Sequence, residues 1–315
     1  MTSYRIGFIM DPMEKVHVED DTSVSLMLES QHRGWDVYYL LLNDLFVRSQ
    51  EAMGRGTPVR VDLKSGFQVI GPVTTFPLRE LDVVFIRKEP PFDMDYVFST
   101  YILELAASKT FMVNDPKGLR DANEKLFILN FPEIIPPTCV AKDPEILKSF
   151  LASVKGEMVV KPLGGKGGEG VIYLHSGDRN LSALLELSTR SGTEYVMAQR
   201  YLPEILQGDK RVLILDGKPL GAFNRVPAAG ELRGNIHAGG TCCKTSVTDR
   251  DRFICEVLDD SLRSHGLHFV GVDIIGGWVT EINVTSPAGI PEINGFEGTR
   301  LEADTLDFLE KRIKT

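Results

Sequence analysis

The stretch FVGVDIIGGWVTEINVTSP, residues 269–287, constrains this chain more than any other. It reads as two apolar strands joined through Gly276-Gly277, each with a few polar interruptions. Side chains alternate across a strand, so Thr280, Ile282 and Val284 are expected on one face and Glu281, Asn283 and Thr285 on the other. Glu281 and Asn283 then project side by side, roughly 6.5 Å apart at the backbone, a workable separation for two oxygen ligands on one hard cation. Asp273 interrupts the first strand, where an unpaired carboxylate is costly to bury. Three oxygen donors without a nearby His or Cys favour Mg²⁺ over zinc or copper. Register decides whether the three can meet. A two-residue turn at Gly276-Gly277 sets Asp273 opposite Thr280, on the wrong face. Convergence of Asp273 with Glu281 requires an odd-length loop or a β-bulge. A hairpin with one solvated face is the plain alternative.

At 315 residues the chain is long enough to bury a large core and to divide into two or three domains. Thirty-five basic residues against 44 acidic ones give a net charge of −9, with no long basic run. General binding to nucleic acid or to an anionic membrane depends on Lys/Arg clusters and is not expected. Cys139, Cys242, Cys243 and Cys255 show neither zinc-ligand pairing nor the density of a secreted disulfide scaffold, which points to a reducing cytoplasm. No signal peptide and no bilayer-spanning apolar run is read.

Residues 4–10 form an apolar strand, followed by a helix over about residues 22–33 with Thr22 as its N-cap and Gly34 as its stop. WDVYYLLL, LDVVFIRKEPP and TFMVND read as strands, and DMDYVFSTYILELAASK as a helix with an apolar stripe. Such alternation implies a mostly parallel sheet covered by helices. Asp11, Arg87 and Asn114 fall at C-terminal strand ends, where open α/β sheets place ligands, and Arg87 suits a carboxylate substrate best. ANEKLFILNF reads as a helix carrying Lys125, and residues 131–137 as a Pro-rich linker. Lys161 ends an apolar strand, an odd place for a charge without a partner.

The glycine loop GGKGGEG, residues 164–170, matches the dinucleotide fingerprint literally. That fingerprint needs a helix after its glycines, and here the β-type VIYLH follows, so the loop joins two strands. Such a loop can still lie over phosphates and donate backbone N–H groups. TEYVMAQRYLP is a strand running into an extended link, and GDKRVLILDGKPLGAFNRVP a hairpin around Asp216-Gly217 with Arg211 and Arg225 on its two arms. AAGELRGNIHAGGTCC lacks periodicity and reads as a mobile loop, in or beside which Cys242-Cys243 would be open to oxidation. Helices are expected over residues 249–264 and about 304–314.

Taken in order, IMDP, RKEPPFD, NDPKGLRDANEKLF, VVKPLGGKGG, MAQRYLP, GDKRVLILDG, RGNIHAGG, VGVDIIG and TEINVTSP resemble the ATP-grasp superfamily, and within it bacterial glutathione synthetases. The resemblance implies an α/β and α+β chain: an N-terminal parallel-sheet domain over residues 1–122, then two α+β domains, 123–202 and 203–315, that sandwich ATP. It implies that Lys125, Lys161 and the loop glycines Gly164, Gly165, Gly167 and Gly168 contact the nucleotide phosphates. Gln199, Arg200, Tyr201 and Leu202 would form the adenine hinge, with Asp209 near the ribose. Asp273, Glu281 and Asn283 would hold Mg²⁺, for which Mn²⁺ is an admissible substitute. Arg211 and Arg225 would face the transferred phosphate. Arg233, Asn235, Gly239 and Gly240 would belong to a closing loop within residues 226–243, and Arg87 and Ser286 would meet the peptide. After NVTSP the family commonly continues with a small residue and Ile-Arg-Glu-Ile; this chain reads AGIPEI, with Pro291 in place of the Arg.

The implied reaction is ATP-dependent ligation of γ-glutamylcysteine to glycine through an acyl phosphate, in a cytoplasmic homo-oligomer. Another carboxylate–amine ligase of the D-alanine–D-alanine or glutamate type is the alternative within the fold. A non-catalytic ATP-binding regulator is the alternative outside it, though such a module has little need for two phosphate-facing arginines.

Overall fold

The computed structural model describes residues 3–234 and 239–313. Its N-terminal part is built on β1 (Arg5–Met10), α1 (Thr22–His32), β2 (Asp36–Leu40), β3 (Leu45–Arg48), β4 (Glu51–Asp62), β5 (Gly66–Val69), β6 (Thr74–Pro77), β7 (Val83–Arg87), α2 (Met94–Glu104), β8 (Phe111–Val113) and α3 (Pro116–Asp121). The sheet runs β3-β4-β2-β1-β7-β8, parallel from β2 through β8, with β5 and β6 paired to β4. The apolar runs of β1 and β7 are buried on both faces, as a central parallel strand requires: Ile6, Phe8, Ile9, Val83, Val84 and Phe85 have no measurable exposure.

Two readings change here. α1 is capped by Asp21, whose carboxylate accepts from the N–H groups of Ser23 and Val24 at 2.6 and 3.1 Å; Thr22 is its first residue. Lys125 does not ride a helix that follows residue 121: the regular helix is α3, and Lys125 caps a short 3₁₀ segment, Leu126–Asn130.

The middle of the chain contributes β9 (Thr138–Ala141), α4 (Pro144–Ser153), β10 (Glu157–Pro162), β11 (Ile172–His175), α5 (Leu181–Ser188) and β12 (Val196–Arg200), in an antiparallel sheet ordered β11-β10-β12-β9. β9 follows directly on the Pro-rich link. The last part carries β13 (Asp209–Leu215), β14 (Lys218–Val226), β15 (Thr241–Lys244), α6 (Asp249–Ser264), β16 (Phe269–Ile275), β17 (Trp278–Asn283), α7 (Ile290–Glu297) and α8 (Leu301–Ile313). Its sheet is ordered β15-β14-β13-β16-β17.

Cys242 and Cys243 lie on β15, opposite Arg225 and Asn224 of β14, and not in an irregular loop. Consecutive strand residues face opposite sides, so the two thiols diverge. Burial pushes the Cys242 thiol up, away from reactive thiolate.

Asn114 stitches the first sheet to the last. Its Nδ2 donates to the carbonyls of Phe269 and Val284 at 2.8 and 2.7 Å, and its Oδ1 accepts from Phe269 N–H at 2.8 Å. All its polar valence is spent on backbone, which makes it a structural residue. Asp11, the other strand-end candidate, is likewise engaged, accepting from the Glu89 N–H and pairing with Lys88 at 3.0 Å each.

Candidate active site

The β16–β17 hairpin closes with the two-residue turn Gly276-Gly277, and a bulge follows at once. Ile275 pairs with Trp278 and Ile274 with Val279; Thr280 is then the extra residue, and Asp273 pairs with Glu281. The bulge is therefore what brings Asp273 and Glu281 together. It also undoes strict alternation. Thr280 lines the same small cavity as Glu281 and Asp273, so it does not share the buried face of Ile282 and Val284.

Asp273 is 3% exposed and sits between two guanidiniums. Arg211 grips it in a fork, Nε and Nη2 each 2.8 Å from a carboxylate oxygen, and Arg225 Nη2 lies 2.9 Å from Oδ2. Arg225 also donates to Asp209 Oδ2 at 2.6 Å. Burial alone would raise the pKa of Asp273, but the two arginines outweigh it and hold the carboxyl below the usual range. Asp209 shows the opposite balance: burial pushes it up to about 6, against the pull of Arg225. Asn283 Nδ2 is 3.3 Å from Asp273 Oδ2.

Lys125 is 4% exposed, and its ammonium donates to the Gly165 carbonyl at 2.7 Å and to Glu281 Oε1 at 3.2 Å. It thus ties the glycine loop to the acidic hairpin. Lys161, next to last in β10, donates to Gln199 Oε1 at 2.7 Å, while burial lowers its pKa. β10 and β11 are antiparallel, so the glycine loop does join two strands. Gly167 and Gly168 take φ of 61° and 76°, which a side chain would resist.

Three cavities meet at this cluster. The first, about 360 Å³, lies between β10–β12 and the last sheet; Val159, Val171, Ile172, Leu202, Ile205 and Ile275 give it apolar walls, with Lys161, Gln199, Arg200 and Tyr201 on its rim. A slot of apolar walls and backbone edge is the setting for a planar heterocycle. The second, about 80 Å³, is lined by Lys125, Lys161, Gly165, Gly167, Gly168, Asp209, Arg233, Asp273 and Glu281. The third, about 140 Å³, is lined by Glu89, Glu124, Lys166, Arg211, Arg225, Asn283, Ser286 and Glu292, and shares Asp273 and Glu281 with the second. An apolar slot, a cation-rich neck and a mixed-charge chamber thus follow in sequence.

Not every candidate falls on these walls. Gly164 borders a small recess beside Pro90 and Thr285. Arg87 is buried, donating from Nε to Ser23 Oγ at 3.0 Å, with Nη1 unmatched. Gly239 and Gly240 border none of the three cavities. Asn235 lies outside the described residues. Arg233, by contrast, lines the first and second cavities and pairs with Glu231 at 2.6 Å.

No sequence pattern marks Glu124, Lys166 or Glu292, which also border the site. Glu124 Oε1 accepts from the N–H groups of Val284 and Thr285 and from the Thr285 hydroxyl, at 2.8 to 3.0 Å, and so sets the backbone that carries Ser286. Burial, reinforced by the charge of Glu281, pushes its carboxyl up. It stands in an irregular turn, where no periodicity marks it. Lys166 reaches Glu89 at 3.0 Å.

The donor set of Asp273, Glu281 and Asn283 is all oxygen, on facing strands of one hairpin. Among the described residues no group of three or more His, Cys, Asp or Glu gathers as a complete metal cage. Two carboxylates and an amide fit Mg²⁺, which takes a few protein oxygens and completes its shell with phosphate and water.

Residues 4–120 match the N-terminal domain, and residues 124–298 the ATP-grasp domain, described for prokaryotic glutathione synthetase. The chain is 43% identical to a glutathione synthetase of Synechocystis sp., with 98% of this chain and 99% of that protein covered. Against the glutathione synthetase of Pseudomonas syringae pv. tomato it is also 43% identical, covering 99% and 98%. Among solved structures, D-cycloserine synthetase matches with a TM-score of 0.66 at 15% identity, covering 97% of this chain and 99% of that one. A RiPP-associated ATP-grasp ligase of Chryseobacterium gregarium, solved with ADP and a leader and core peptide, matches with a TM-score of 0.64 at 14% identity, covering 98% and 97%. Those two likenesses speak to the fold alone. The paired domain matches and the end-to-end identity go further: this chain belongs to the prokaryotic glutathione synthetase family.

Proposed function

We propose that the chain joins γ-glutamylcysteine to glycine while converting ATP to ADP and phosphate. Family membership supports the reaction, and one observation carries its chemistry: the Asp273–Arg211–Arg225 cluster stands where the cation-rich neck opens into the mixed-charge chamber. Adenine occupies the apolar slot along residues 199–202, with Asp209 near the ribose; the phosphates run past Lys161, Lys125 and the glycine loop, and the peptide lies in the chamber near Ser286. A carboxylate is a poor electrophile. Its oxygen attacks the γ-phosphorus and ADP departs, leaving a mixed anhydride. Arg211 and Arg225 spread the charge of the phosphoryl group in transit from fixed positions, so no reorganisation is needed at that moment. Glycine nitrogen then attacks the acyl carbon and phosphate leaves with the peptide's original oxygen. Asp273, Glu281 and Asn283 would hold Mg²⁺, which would supply positive charge against the phosphates.

In the same reading Arg87, whose Nη1 is unmatched, takes a substrate carboxylate. Arg233, Asn235, Gly239 and Gly240 belong to the segment that covers the acyl phosphate. The division at residues 122 and 202, a homo-oligomeric state and a cytoplasmic setting complete the proposal. Oxygen-18 placed in the cysteinyl carboxylate tests the intermediate. One labelled atom should appear in phosphate per peptide bond formed; unlabelled phosphate beside labelled product would refute the anhydride.

A further inference from the structure

The chamber contains an acid that the reaction above leaves unused. Glu292 stands in the first turn of α7, behind Gly289 and Pro291. Gly289 takes a φ of 143°, and a Cβ there would meet Phe223 Cε1 at 2.6 Å, so the chain bends tightly beneath that ring. The N–H groups of Gly289 and Ile290 donate to Thr22 Oγ1 at 3.1 and 3.2 Å. Ile290 and Ile293 are sunk in the core, which fixes the rotation of α7 and leaves Glu292 bordering the chamber.

Among the described residues lining that chamber, Glu292 alone keeps a buried side-chain oxygen, Oε2, with no hydrogen-bond partner. Pro291 supplies no cation. Burial, with the charge of Asp20, pushes the Glu292 carboxyl up against the pull of its own backbone N–H and of Arg211 and Arg225, and those two arginines are committed to Asp273 and Asp209. A buried acceptor without a donor is unstable by comparison with a matched one, so the site calls for a donor from the ligand.

Two ammonium groups enter this reaction. Glycine's must lose a proton before its nitrogen can attack, and a carboxylate beside it would favour the unreactive charged form. The α-ammonium of the glutamyl group stays charged throughout and lies far from the reacting carboxyl. We infer that Glu292 is a specificity-determining residue that receives this α-ammonium; the assignment rests on the ligase reading above.

The test compares the parent with Glu292→Gln on γ-glutamylcysteine and on glutarylcysteine, which lacks the α-amino group, at saturating Mg-ATP and glycine. The parent should lose about tenfold to hundredfold in kcat/KM on glutarylcysteine, the worth of one hydrogen bond to a charged group. Glu292→Gln should lose a similar factor on γ-glutamylcysteine and treat the two peptides about alike, with the KM for glycine unchanged. Glu292→Asp, which keeps the charge one methylene farther back, should retain a preference for the amine at a raised KM, and it replaces the glutamine variant if that one fails to fold. A variant lacking the carboxylate that keeps the parental preference overturns the assignment, as does a change confined to the KM for glycine or an aspartate variant blind to the amine. A parent inactive on γ-glutamylcysteine refutes the ligase reading instead.

Discussion

Asp273→Asn keeps the size of the side chain and removes one charge from a buried cluster. Arg225 retains Asp209 at 2.6 Å, whereas Asp273 is the carboxylate that Arg211 grips with both Nε and Nη2. The substitution therefore strands Arg211. Breaking a buried pair on one side costs about 3–5 kcal/mol. The amide oxygen of Asn can keep one of the two bonds, which argues for the lower end, about 3 kcal/mol. At about 2–4 °C per kcal/mol for a chain of this size, the midpoint of thermal unfolding should fall by about 6–12 °C. Circular dichroism without nucleotide, at pH 7.5, measures it. Adding Arg211→Met removes the stranded charge and should recover part of the loss. A carboxyl whose folded pKa is depressed contributes stability that is present above its unfolded value, about 3.9, and lost as pH falls through the folded one. The gap between parent and variant should hold steady from about pH 7 to 8, above the titration of Asp209, and collapse below about pH 4. An Asp273→Asn midpoint within about 2 °C of the parent, or a double variant no better than the single, would refute this reasoning.

Lys161→Met should weaken a non-hydrolysable ATP analogue about tenfold to hundredfold by calorimetry, since one half-buried charged donor near the end of β10 is lost; unchanged affinity would remove Lys161 from the nucleotide site. Asn114→Ala strands the Phe269 and Val284 backbone groups and should cost about 3 kcal/mol in urea unfolding, with nucleotide affinity in the folded protein little changed. Asp209, raised to about 6, contributes stability that is complete below its unfolded value and lost as pH rises through about 6. Asp209→Asn should therefore flatten the decline of the thermal midpoint between about pH 4 and 6, and a slope equal to the parent's would contradict the shift.

The β16–β17 hairpin was legible because its polar residues interrupt apolar strands, and the register rule showed that a turn of two would need a bulge to pair Asp273 with Glu281. Which residue bulges was not legible: any of several positions could supply the extra residue, and only pairing identifies Thr280. The strands between residues 45 and 77 went unread because β4 contains Gly54, Gly56 and Pro58, residues that ordinarily punctuate turns. Here two of them make room. A Cβ on Gly54 would lie 2.7 Å from Leu40 Cδ2, and one on Gly56 2.6 Å from Phe76 Cζ. β15 was missed for another reason: Thr-Cys-Cys-Lys has no pattern of its own and is ordered by pairing with β14. Lys161 drew notice as a charge ending an apolar strand, but Lys125, Glu124 and Glu292 acquire meaning only when segments more than a hundred residues apart converge.

The most direct measurement is a product balance: glutathione and phosphate formed from Mg-ATP, γ-glutamylcysteine and glycine, with each of the three omitted in turn. One phosphate per glutathione is expected with all three present, and no glutathione when any is missing. Phosphate release that ignores the peptide, or peptide bonds formed equally well from D-alanine or glutamate, would contradict the proposed reaction.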